Sequence, residues 1–228
     1  MARKTALSRE RITEAGMRLV EREGPQALTL RRLGDALGVD PTALYRHFRN
    51  KEELLSAIGD RTLDGRIVDP GEEVGWRDGL RDLCLRLRAA YLAQPAVADV
   101  VRSGPPRQGN ELLLTEVMLR LLHRAGFAPA RAAAAYHSLI GLSLGSAAID
   151  APVSRLPQRE REQLYERWRR EYAALDPLRY PVSVEHARAL WEGDALHRFE
   201  VSLDTMLDGL EAERARSGGA AALEAPPA

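Results

Sequence analysis

Between positions 29 and 51 the chain concentrates side chains that donate hydrogen bonds or carry positive charge: Thr29, Arg31, Thr42, Tyr45, Arg46, His47 and Lys51. Arginine offers two parallel donors that match the paired acceptors of a guanine edge. Tyrosine and histidine donate without needing a full charge. This chemistry is binding, not bond-making. The charge distribution agrees. Residues 1–51 hold 11 Lys and Arg against 6 Asp and Glu, and the remainder holds 22 against 27. The zero net charge of the 228-residue chain therefore conceals a basic N-terminal end on an acidic body, which suggests a polyanion partner at one end only. Only Lys4 and Lys51 are lysines, an arginine bias that genomic base composition alone can produce.

Enzyme chemistry finds no support. There is no nucleophile elbow, no HExxH, no phosphate-binding glycine loop and no Cys–His pairing in context. His123, His137, His186 and His197 are scattered over predicted helices, where structural histidines are the default. The single cysteine, Cys84, excludes an internal disulfide and a cysteine-based zinc site, and it fits a reducing cytoplasm. No cofactor and no metal site are expected. The start, MARKTALSRER, lacks an apolar stretch and does not read as a secretory signal.

The elements that must position the donors follow from spacing. Residues 8–23 form a first helix with Ile12, Ala15, Leu19 and Val20 on one face, stopped by Gly24-Pro25. Leu30, Leu33, Ala36 and Leu37 predict a helix over 30–37, ended by Gly38 in a left-handed conformation. Asp40 is a good N-cap and Pro41 fits the first position after it, so a short helix runs over about 41–48 with Leu44 and Phe48 inward. Asn50 caps again, with Glu53 three residues on as a capping-box variant. That fourth helix runs to about 67. Two helices joined by a short turn containing glycine make a helix-turn-helix, whose second helix can enter the major groove. Pro41, Thr42 and Ala43 would then lead, and their small apolar groups suit thymine methyls. Lys51 sits at a helix start, where the positive end already favours a phosphate.

The rest also reads as helices, and no alternating strand pattern occurs. Residues 76–94 carry Leu80, Leu83, Cys84, Leu87 and Tyr91 at helical spacing. A short piece covers about 96–102, followed by a loop at 103–106. Residues 110–124 present Leu113, Val117 and Leu121. Residues 130–150 form a small-residue helix, of which 132–149 lack any charge; a buried helix is a better reading than a membrane span. Residues 155–173 are a solvated charged helix with Leu164, Trp168 and Tyr172 inward. A turn at 176–181 leads to a last helix over about 185–213, with a break near Gly193. In it Leu196, Phe199, Leu203, Met206 and Leu210 step as a heptad seam. The tail from 214 to 228 is read as disordered.

The stretch LTLRRLGDALGVDPTALYRHFRNKEELL resembles the DNA-binding domain of the tetracycline-repressor (TetR/AcrR) family, with LYRHF and the following KEELL highly specific. The resemblance covers residues 8–60 well. It implies an all-α homodimer: a three-helix DNA-binding domain over 1–60 and an effector-binding and dimerisation domain over 61–213. By resemblance, Thr29, Tyr45 and His47 contact phosphates, Arg31 reaches a guanine, and Arg46 meets a base or a phosphate. Phosphate contacts set affinity and register, and groove contacts set sequence choice. One head makes too few contacts for genomic selectivity, so a dimer reads two half-sites of a palindrome about 34–36 Å apart.

The family's dimer interface comes from the last two long helices. Here those supply Gly141 and Gly145, which allow close approach, and the seam Leu196, Phe199, Leu203, Met206 and Leu210. The implied function is a regulator, most simply a repressor, released from its operator by a small molecule that moves the fourth helix. Pocket candidates are Arg102, Met118, Tyr136, His137, Trp168 and Trp191. The positions that chelate magnesium-tetracycline in the family carry Arg102 and Leu142, with Asp150 near a third, so another ligand is expected. The competing readings are a helical dimeric scaffold without operator binding and an unrecognised enzyme.

Overall fold

Ser8 opens the first helix, α1 (Arg9–Glu23), its hydroxyl accepting the Arg11 N–H at 3.2 Å. In this computed structural model, which describes residues 6–94 and 109–223, every regular element among the described residues is helical. A 3₁₀ turn (Pro25–Ala27) leads to α2 (Leu30–Leu37), α3 (Pro41–Leu44) and α4 (Lys51–Thr62). Ile12, Leu19, Val20, Leu28, Leu33, Leu44, Phe48, Leu54 and Ile58 form one buried cluster from these elements. Each such side chain contributes about 1.5–3 kcal/mol by leaving water.

Further on come α5 (Trp76–Ala93), α6 (Gly109–Arg124), α7 (Pro129–Ser154), α8 (Gln158–Ala173), α9 (Pro181–Glu185), a 3₁₀ turn (Ala189–Trp191) and α10 (Ala195–Leu223). The chain divides into two compact units, Met1–Ala148 and Ile149–Ala228. In the first, α5 buries Leu80, Leu83, Cys84, Leu87 and Tyr91, as their spacing predicts.

Several boundaries and faces differ from the sequence reading. α3 is one turn long, not the rod expected to 48. The N–H groups of Tyr45, Arg46 and His47 bond to carbonyls three residues back, which tightens the chain out of α geometry. Likewise α4 stops at Thr62, because Leu63 and Asp64 bond three back to Asp60 and Arg61. On α6 the inward face is Leu114, Val117, Met118, Leu121 and Leu122, while Leu113 is exposed. On α8 the buried side chain is Tyr165, and Tyr172 is exposed. α7 is longer than expected and runs through Pro152. α9 lies between the turn predicted at 176–181 and the last helix predicted from about 185. The break near Gly193 is present, and α10 continues past the expected limit at 213 to Leu223. The piece expected at 96–102 and the loop at 103–106 lie outside the described residues.

The heptad seam needs the largest correction. Phe199, Leu203 and Leu210 are 2%, 0% and 3% exposed within the single chain, together with Leu207 at 0%. They are core of this chain and are not available to a second subunit. Leu196 is exposed and Met206 is half-buried. α7 behaves in the opposite way. It is, among the described residues, the helix long and apolar enough to cross a membrane, yet only 28% of its most apolar window is buried. Gly141, Gly145 and Ile149 are exposed on it.

Candidate nucleic-acid interface

The turn between α2 and α3 is closed from both sides. Gly38, at φ 64°, donates its N–H to Asp35 O, and Val39 donates to Gly34 O at 3.0 Å, the paired bonds that terminate a helix on a left-handed residue. Gly34 lies at the crossing itself: a Cβ there would stand 3.0 Å from Val39 O and 3.1 Å from Pro41 Cγ. The sequence reading missed Gly34, since nothing in its own helix marks it.

Asp40 then starts α3. Its carboxylate accepts both the N–H of Thr42 at 2.8 Å and the Thr42 hydroxyl at 2.6 Å. The hydroxyl, and then the backbone N–H, hold the Asp40 carboxyl below its usual range. The Thr42 hydroxyl proton is thereby engaged within the turn. Thr42 is exposed, and Pro41 and Ala43 are half-exposed beside it. Leu44 and Phe48, 0% and 1% exposed, anchor the other side of this turn in the core.

Around that leading end, Thr29, Arg31, Arg46 and Lys51 are exposed, Tyr45 is 56% exposed and His47 is half-buried. Thr29 serves as the N-cap of α2, accepting the Arg32 N–H at 3.3 Å. The two neighbouring arginines divide their work. Arg32 pairs with Glu23 of α1, whereas no ion pair is recorded among the described residues for Arg31, Arg46 or Lys51.

Asn50 caps α4 by accepting the Glu53 N–H at 2.8 Å. The return bond is displaced by one residue from the expected box: Glu53 accepts the N–H of Arg49, also at 2.8 Å, and not that of Asn50. That bond first, and the Arg9 guanidinium second, hold the Glu53 carboxyl below its usual range. Arg9 was not foreseen either. It donates to the His47 carbonyl and to Glu53 Oε1, and its guanidinium lies 4.2 Å from the centre of the Phe48 ring. Such a contact, from the first turn of α1, leaves no local pattern in the sequence.

The pocket candidates are dispersed. In the first unit, Met118 is 0% exposed, Tyr136 is half-buried with its hydroxyl 3.0 Å from Thr115 Oγ1, and His137 is exposed against the Tyr136 ring. In the second unit, the Trp168 and Trp191 rings meet tilted by 49°, with centres 4.8 Å apart. The indole N–H of Trp191 is buried without a hydrogen-bond partner among the described residues. A groove of about 570 Å³ there is lined by charged side chains including Glu166, Arg169, Arg170 and Arg188. Arg102 lies outside the described residues.

Residues 12–58 match the family model of bacterial regulatory proteins of the tetR family, and residues 69–214 match that of the tetracyclin repressor-like C-terminal domain. The class G tetracycline repressor protein of Vibrio anguillarum is 34% identical over 161 residues, covering 68% of this chain and 76% of that one. The class C protein of Escherichia coli is 28% identical over 211 residues, covering 91% and 92%. Among solved structures, the Streptomyces coelicolor TetR family protein ActR in complex with actinorhodin gives a TM-score of 0.81 at 26% identity, covering 92% of this chain and 97% of that one.

Proposed function

The chain belongs to the tetracycline-repressor family and is a ligand-responsive, DNA-binding repressor that acts as a dimer; from that premise we propose which of its residues do the work. Thr42, Ala43 and Pro41 lead into the major groove, where the Thr42 methyl and its neighbours meet thymine methyls. Arg31 reads a guanine. Thr29, Tyr45, His47 and Lys51 hold phosphates, and Arg46 takes a base edge or a phosphate. The carrying observation is the geometry of α3 and the turn that follows it: Leu44 and Phe48 are fixed in the core while Thr42, Tyr45 and Arg46 stand outside it.

We assign residues 1–60 to operator binding and 61–213 to effector binding and dimerisation. The exposed small-residue stripe of α7, with Gly141, Gly145 and Ile149, supports a dimer face on that helix. No side chain comes within 4 Å of a Cβ built on either glycine, so a partner helix can approach closely there. This reading also accounts for an apolar helix left uncovered in one chain. Members of the family are generally transcription factors without enzymatic activity and usually cytoplasmic; we read this chain as acting by binding alone, in the cytoplasm.

ActR is solved with actinorhodin. By analogy we propose a small organic effector for this chain, with Tyr136 as a candidate contact in the first unit and, separately, Trp168 and the Trp191 N–H, unpartnered among the described residues, as candidates in the second. The test is a salt titration of binding to the duplex upstream of its own gene, against a random duplex of equal length. A specific repressor shows a steep dependence of affinity on salt and a gap of about 10³-fold or more over random DNA. Equal affinity for both duplexes would sink the reading.

A further inference from the structure

Asp60 lies in the last turn of α4, yet its carboxylate is spent on the start of α6. Oδ1 accepts the backbone N–H of Glu111 at 2.9 Å, and Oδ2 accepts Asn110 Nδ2 at 3.2 Å. The same amide also donates to the Asp60 carbonyl at 3.1 Å. The first N–H groups of a helix have no acceptor within it, and its leading end carries partial positive charge. A carboxylate from α4 thus accepts a first-turn N–H of α6.

The contact continues inward. The Glu111 carbonyl accepts the Thr115 hydroxyl at 2.9 Å, and that hydroxyl stands 3.0 Å from the Tyr136 hydroxyl on α7. Burial, with the Glu111 carboxylate as a further cause, pushes the Tyr91 hydroxyl of α5 up to about 12. The first turn of α6 therefore bonds to α4 and its second turn to α7, while the Glu111 carboxylate acts on Tyr91 of α5 through charge. At its other end α4 carries Lys51, and Leu54 and Ile58 lock it into the core that holds α3. A displacement of that first turn must either move α4 or break three hydrogen bonds.

We propose that Asp60 is a positioning residue: by capping α6 it sets the angle of α4, and with it the spacing of half-sites the dimer accepts, and Tyr136 is coupled to it through Thr115 and Glu111. This rests on the assignment of α3 and Lys51 to DNA.

The test uses the full-length dimer. Wild-type protein first selects an inverted-repeat duplex from a random library. The selected duplex is then made with one base pair inserted at its centre, and the ratio of the two affinities is read at fixed salt. Asp60→Ala should lower that ratio by about fivefold or more, the lower end of typical couplings between sites. Affinity for random duplex and the salt slope should stay as in wild type. Asp60→Asn, which keeps an oxygen for the Glu111 N–H, should restore most of the preference. In a double-mutant cycle, Tyr136→Phe with Asp60→Ala should be no worse than Asp60→Ala alone.

A ratio unchanged in Asp60→Ala overturns the proposal, and strictly additive losses remove Tyr136 from it. Should Asp60→Ala fail to fold, Asn110→Ala, which removes two of the three bonds that tie α4 to α6, takes its part in the same cycle, and an unchanged ratio there also overturns it. Failure of wild-type protein to select any duplex defeats the operator reading itself, and the inference with it.

Discussion

Arg9 sits over Phe48, its guanidinium carbon 4.2 Å from the ring centre, and so joins the first turn of α1 to the end of the turn proposed to face DNA. The same guanidinium bonds the His47 carbonyl and Glu53. One side chain thereby ties three pieces of the head: α1, the exit from α3 and the entry to α4. None of these bonds uses a side chain proposed to contact DNA.

Arg9→Ala should therefore weaken operator binding without removing a contact to it. The lost ring contact, hydrogen bond and half-exposed ion pair together amount to roughly 1–2 kcal/mol. A fall of a few degrees in the melting temperature, with operator affinity down about tenfold, is the expected result by thermal unfolding and gel shift. An Arg9→Ala protein with wild-type melting and affinity would show that the tie is idle.

Acid should loosen the head. Asp40 and Glu53 are both held below the ordinary carboxylate range by the N–H and hydroxyl groups they cap and, for Glu53, by Arg9. Folded, they bind fewer protons than unfolded, so their contribution is complete above about pH 4–5 and is lost as pH falls through the lowered values. Melting temperature measured by circular dichroism should drop along that limb. Glu53→Gln should flatten the drop; an identical limb in that variant would refute the assignment.

Arg31 and Arg32 are neighbours with opposite fates, because Arg32 is committed to Glu23. Arg31→Ala should relax sequence preference at one base pair of each half-site, a cost of about 1–3 kcal/mol. Arg32→Ala should leave that preference intact and lower only stability. Selected-site sequencing of the two variants decides between them.

Lys51→Ala combined with Tyr45→Phe should weaken binding to all duplexes alike. Removing one phosphate-bound charge per head should make the salt slope shallower by about 1 unit for each head engaged. A slope equal to that of wild type would place Lys51 away from the backbone.

Leu203 cannot report on the dimer, since it is fully buried in one chain and Leu203→Glu would unfold it. Ile149, 78% exposed on α7, is the sounder site. Ile149→Arg should yield folded monomers by light scattering and circular dichroism, with operator binding lost. A dimer that survives would move the interface off this stripe.

The head was legible in the sequence because its determinants are local. Thr29, Gly38, Asp40, Pro41 and Asn50 each act on backbone within three residues, so their identities suffice to predict the caps and the turn. The exposed donors follow once Leu44 and Phe48 are known to point inward. What the sequence left open depends on partners far along the chain. Helical spacing shows that Phe199, Leu203 and Leu210 share a face; it is silent on whether that face meets the same chain or another. Leu113 and Leu114 are equally apolar, and only packing chose Leu114. Arg9 on Phe48 and Asp60 on Glu111 are bonds between segments that spacing cannot pair, since a periodic pattern encodes a face and carries no address for what covers it.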